Sequence, residues 1–141
     1  MAFQGNFSCN DFKTGLMNGT FNFTSGTFYM ALYTNDATLN ASTTAYTATG
    51  EVVASGYSAG GLALTIAQAP TVGNSGNTAY ISFDNAAWTS ALTARGALIY
   101  QSGGGNPAVC VLDFGADKTS TITFTVQFPA VSNTSAIIRI A

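Results

Sequence analysis

Six carboxylates, Asp11, Asp36, Glu51, Asp84, Asp113 and Asp117, are the only acidic side chains, and there is no histidine. That combination removes the Ser-His-Asp and Cys-His nucleophilic arrangements and the usual zinc sites. Glycoside hydrolysis needs two carboxylates facing each other across a cleft. These six mostly fall at strand ends and turns, where Asp acts as a turn former. The string Asp113-Phe114-Gly115 matches a kinase metal-binding triplet in letters alone, without the nucleotide loop, strand lysine or catalytic loop that would accompany it. It reads as a strand end running into a turn. Gly103-Gly104-Gly105 lacks the Lys-Ser/Thr and the following helix of a phosphate cradle, and reads as a hairpin loop. The chain is therefore not expected to be an enzyme, and no catalytic, cofactor or metal site is expected.

Two charges have a more specific use. Arg95 and Asp113 lie in apolar runs on neighbouring strands of one hairpin, so pairing across it would satisfy both, as a structural ion pair. Arg95 is one of only four cations, with Lys13, Lys118 and Arg139. They form no cluster of the kind that replaces phosphate counterions, so nucleic acid is not an expected partner. The aromatic residues Tyr33, Tyr46, Tyr57 and Trp88 have two readings, stacking on a sugar ring or another surface and packing in a core. Tyr46, Tyr57 and Trp88, with Phe3 and Phe7 near the start of the chain, are the interaction candidates.

The elements that position these residues read as strands. Thr93–Tyr100 and Ala108–Phe114 are nearly continuous in apolar residues, the pattern of strands covered on both faces, and a glycine-rich turn joins them. Residues 9–18 form the one expected helix, capped by Ser8 or Asn10 and stopped by Gly19, with Phe12, Leu16 and Met17 sharing a face. Thr27–Thr34 reads as a strand apolar on both sides. Residues 35–60 turn polar and small, a long loop with at most a short strand at Glu51–Ala54, and a loop of that length is usually an interaction feature. Leu62–Ala67 follows, ended by Pro70, then a turn at 71–77 and the strand Thr78–Phe83, with Trp88 in a loop. Thr121–Phe128 alternates with period two, Ile122, Phe124, Val126 and Phe128 on one face, and is ended by Pro129; Ala136–Ile140 is the last strand. Seven or eight short strands and one short N-terminal helix predict an all-β fold: an antiparallel β-sandwich, jelly-roll-like, in a single domain spanning 1–141 with an N-terminal arm at 1–8.

Composition fits that reading. Only 7% of the 141 residues are charged, against about a quarter in an ordinary domain, while 47% are apolar. The surface must be built from Thr, Ser, Asn and Gly, which suits stable packing against other protein. The apolar runs are much shorter than the ~20 residues that span a bilayer, so no membrane segment is expected. The first residues lack the basic and apolar regions of a secretion signal, so export is not expected. Cys110 sits inside an apolar run and Cys9 precedes the helix. A disulfide between them is open from the sequence, and two free thiols are expected of a chain made in the cytoplasm.

The segments NDFKTGLMNGTFNF, FYMALYTNDATLNASTTAY, GYSAGGLALT, TAYISFDNAAW, LTARGALIY, AVCVLDFGADKTS and FTVQFPA span nearly the whole chain. In that order they resemble a widespread group of small virion proteins of tailed bacteriophages. The resemblance implies a particle component made in the host cytoplasm. The more specific expectation is a capsid decoration or cement protein on the capsid surface, bound to the major capsid protein and to copies of itself as a homodimer or homotrimer. A tail or head–tail position is the alternative, with receptor or carbohydrate binding. No binding residue is carried over, because the shared segments mark strands and turns.

Overall fold

The computed structural model describes residues 3–73 and 76–141. Met1 and Ala2 of the expected arm, and Asn74 and Ser75 of the expected 71–77 turn, lie outside the described residues. In chain order the elements are β1 (Phe7–Ser8), α1 (Asn10–Asn18), β2 (Phe28–Tyr33), β3 (Leu62–Ala63), β4 (Ile66–Val72), β5 (Ala79–Phe83), β6 (Ala86–Trp88), β7 (Thr93–Gln101), β8 (Ala108–Thr119), β9 (Phe124–Val126) and β10 (Ile138–Ile140).

The β7–β8 hairpin is the spine. Leu98 stands opposite Val111 and Ile99 opposite Cys110, and all four are buried. The turn between the strands runs through Gly103, Gly104, Gly105 and Asn106 with four consecutive positive φ angles, a path open to glycine and tolerated by asparagine. β2 pairs with the other edge of β7, β3 adds to β2, and β1 adds to β8, giving the order β1-β8-β7-β2-β3. A second sheet has the order β10-β5-β4, and β6 pairs with β9 in a two-stranded ladder. Every pairing is antiparallel. The fold is therefore an all-β sandwich with one short N-terminal helix. The ladders group as five, three and two strands, and a jelly-roll order is not shown by them.

One contiguous cluster of buried apolar side chains draws on all these layers. A run of rings threads it: Phe12 meets Phe21 edge-on at 5.1 Å, and Phe23 stacks on Phe28 at 4.4 Å and lies tilted against Phe83. Each such ring contributes about 1.5–3 kcal/mol by leaving water. The helix is placed by this packing rather than by its own propensity. Gly15 is buried, and a Cβ there would collide with the ring of Phe21. Gly19 closes the helix in a left-handed conformation, its N–H donating to the Gly15 carbonyl. The N-cap position falls on Cys9 with no side-chain cap bond, not on Ser8 or Asn10, and Met17 is exposed.

Several elements differ from their sequence reading. The expected strand Leu62–Ala67 is divided between β3 and β4, which belong to different sheets. Pro70 lies inside β4 instead of ending a strand. This is possible because β4 is an edge, where a missing N–H costs no ladder bond. Trp88 lies in β6, opposite Phe124 of β9, not in a loop. The alternating run 121–128 forms strand only at Phe124–Val126, because β6 is short, and Ile122 is left exposed. β8 passes through Gly115 to Thr119. Between the pairs Gly96–Asp113 and Ala94–Lys118 it carries four residues against one on β7, a wide bulge that Gly115 enters with positive φ.

Candidate functional site

Asp113 sits where that bulge begins. Its Oδ1 accepts from Arg95 Nε at 3.1 Å and from the Gly115 backbone N–H at 2.8 Å, while its own N–H donates to Asn6 Oδ1 at 2.7 Å. Burial pulls the Asp113 carboxyl upward, but the Gly115 N–H, the Arg95 guanidinium and the Gly5 N–H together outweigh it and hold it below the usual 3.8. Arg95 and Asp113 are thus brought together, and their node ties β7, the β8 bulge and the N-terminal segment to one another. The pair is mostly buried and structural in geometry.

Glu51 is the residue that sequence reasoning left among the turn formers. It is buried, at 8% exposure. Oε2 accepts from the Tyr46 hydroxyl at 2.6 Å, and Oε1 accepts from the Tyr57 hydroxyl at 2.7 Å and the Gly60 N–H at 2.8 Å. Tyr57 Oη in turn accepts from the Leu32 N–H, and the Tyr100 hydroxyl donates to the Gly60 carbonyl. All three groups on Glu51 donate, so its carboxylate is held by hydrogen bonds, with no cation paired to it among the described residues. Burial, followed by the bond to Glu51, pushes the Tyr46 hydroxyl up to about 12; the same causes push Tyr57 higher. Only the spacing of Tyr46, Glu51 and Tyr57 in one loop hinted at this in the sequence. Leu32 and Tyr100 come from distant strands.

The network fixes the 35–60 segment. Val52 N–H donates to the Leu32 carbonyl, Tyr33 bridges Glu51, and the Tyr33 hydroxyl donates to the Thr47 carbonyl. Ala45 bridges Pro107 at the foot of β8, and Asn10 N–H donates to the Ala41 carbonyl. The loop continues the role of β3 along the edge of β2. Its one large exposed apolar side chain is Val53, at 96% exposure.

The other interaction candidates are placed as follows. Phe3 is buried at 1%, lying over Gly96, where a Cβ would strike its ring. Phe7 is half-buried in β1 opposite Val111. Tyr46 is half-buried in the Glu51 network, and Tyr57 and Trp88 are buried, with ring centroids 6.2 Å apart. Buried rings cannot offer a face to a sugar. Phe3, Tyr57 and Trp88 therefore serve this chain's own core. The Trp88 Nε1 and Ser82 Oγ are buried with no hydrogen-bond partner among the described residues.

Asp11, Asp36, Asp84 and Asp117 are exposed, and no cluster of three metal-ligating side chains occurs among the described residues. No helix among the described residues is long and apolar enough to cross a membrane. A concavity of about 720 Å³ lies between the far end of β8 and residues 119–127, with Phe114, Ile122 and a series of threonines on its walls. A smaller groove shares Thr119 and Ser120 with it and carries Val53. These mixed surfaces hold no converging acid–base pair. No family model, curated protein or solved structure matches this chain.

Proposed function

We propose that the chain is a structural component of a tailed-phage virion, a capsid decoration or cement protein that binds the major capsid protein and stabilises the shell. One observation carries the reading: the polar groups that sequence offers as chemistry are consumed in holding the fold. Glu51, Asp113 and Arg95 bond their own backbone and side chains, and the long loop is bonded to β2 and β8. What is left for other molecules is a stiff body of low charge with exposed Val53 and Ile122. A surface of that kind forms extended contacts with little electrostatic repulsion. On a symmetric shell, a homodimer or homotrimer gains further from many simultaneous contacts.

The test is to purify the particle that carries this chain, locate the protein by cryo-electron microscopy and quantify its copy number. Many symmetric copies on the icosahedral shell support the proposal. A handful at the tail overturns it in favour of a tail-associated role.

A further inference from the structure

Five consecutive residues, 137–141, line one groove of about 520 Å³, with Ser8 and Phe12, Lys13 and Leu16 of α1 on its other wall and Thr78, just before β5, also on its lining. Successive side chains of a strand point to opposite faces. A wall made of five in a row therefore follows an edge of β10 rather than a face. That edge has no strand partner among the described residues, since β10 ends the order β10-β5-β4. A second trough, about 270 Å³, shares Phe12, Leu16, Ile138 and Ile140 with the first and lies between α1 and the face of the same sheet. The unpaired edge thus stands beside an apolar slot.

Charge decides what fits it. Lys13 and Arg139, two of the chain's four cations, stand on this groove, and no Asp or Glu side chain lines either trough. Even with a terminal carboxylate at Ala141 counted, the groove is cationic in a chain of formal charge −2. The Lys13 ammonium has no hydrogen-bond or ion-pair partner among the described residues, and Arg139 gives one donor, Nη1, to the Thr134 carbonyl at 2.6 Å. A second copy of the chain is a poor occupant. Antiparallel pairing of two β10 strands centred on Arg139 would set like charges directly opposite each other.

We propose that this groove binds an extended segment of a partner protein, alternating apolar and acidic side chains, which adds as a fourth strand against β10. The apolar side chains lie beside Ile138 and Ile140 in the trough, the acidic ones beside Arg139, and Lys13 holds the helix-side wall positive. Main-chain bonds supply affinity and the alternation supplies specificity, as in other strand additions. The proposal stands apart from the virion reading, because it concerns the chemistry of recognition and not the particle.

The test uses the full chain, labelled with ¹⁵N, and two short blocked peptides, one alternating Val with Glu and one alternating Val with Lys. The Val/Glu peptide is expected to shift and protect the amides of Ile138–Ile140 and to shift those of α1, binding roughly tenfold tighter than the Val/Lys peptide and weakening with salt. The double variant Lys13→Glu, Arg139→Glu is expected to reverse the preference. Both side chains are exposed, so an unchanged melting curve separates lost binding from lost fold. Equal binding of both peptides, shifts that map elsewhere, or no shifts at all overturn the proposal. Concentration-dependent self-association that protects the same amides overturns it in favour of a second copy.

Discussion

Arg95 and Asp113 stand on adjacent strands with Nε 3.1 Å from Oδ1, and that same oxygen also takes the N–H of Gly115 across the bulge. The pair therefore shapes a loop-out in β8 as well as neutralising charge. Replacing Arg95 with Ala is expected to cost about 1–2 kcal/mol, the scale of a charge-assisted hydrogen bond with one side near water. Chemical denaturation would measure it, with amide exchange at Gly115 rising in parallel.

The same node carries a pH dependence of known sign. The folded Asp113 carboxyl lies below its unfolded value of 3.8, so the stability it adds is complete above that value and is lost as pH falls through the folded one. Asp113→Asn removes this part of the slope. The gap in unfolding free energy between parent and variant is expected to be constant above pH 5 and to close on acidification. A gap that widens below pH 4 would contradict the assignment.

Glu51 distinguishes two substitutions that look alike on paper. Glu51→Ala leaves the buried Tyr57 hydroxyl and the half-buried Gly60 N–H without an acceptor, and is expected to cost about 2–4 kcal/mol. Glu51→Gln can turn its amide nitrogen towards Tyr46, whose hydroxyl is free to reverse and accept, while its oxygen keeps Tyr57 and Gly60. Its cost is expected at about 1 kcal/mol. Equal losses in thermal or urea unfolding would show that the carboxylate charge, not its acceptors, is what the loop requires.

The tyrosines of this network also predict an alkaline limit. Tyr46 is pushed up to about 12, and Tyr33 and Tyr57 higher, chiefly by burial, against an unfolded value of 10. Their neutral forms favour the fold, so stability is present below pH 10 and declines above it. Spectrophotometric titration is expected to show Tyr33 and Tyr57 ionising only together with loss of the native near-ultraviolet signal.

Phe3, in the expected N-terminal arm, is packed into the core. Its ring fills the space above Gly96, so Phe3→Ala is expected to cost about 3–5 kcal/mol, and deletion of residues 1–8 at least as much. A truncated chain with the parental melting temperature would show that the ring contributes nothing to the core.

How far the sequence could be read depended on the range of the interaction. The β7–β8 hairpin was legible because its apolar residues are contiguous and its glycines mark the turn. The helix was legible from Gly19 and its apolar spacing, but the reason for Gly15 lies in the ring of Phe21, which spacing does not reveal. Period-two alternation at 121–128 promised a long strand. The partner strand, β6, spans only Ala86–Trp88, and pairing length belongs to both strands. Arg95 and Asp113 could be paired from the hairpin alone. Glu51 could not be singled out, because Leu32 and Tyr100, which complete its surroundings, are brought in by the sheet. Both cysteines are free and buried, at 0% and 7% exposure, which the apolar run around Cys110 made plain and the polar neighbours of Cys9 did not.

β4 and β10 close the same sheet in opposite ways. β4 holds a proline and pairs with β5 through two register shifts, irregularities that make it a poor template for an incoming strand, whereas β10 presents three residues in regular register. Growth of a sheet into a fibre needs two edges that can accept each other, repeated without end. This sheet has one. A strand that joins at β10 completes it, so growth through this sheet stops at the first addition.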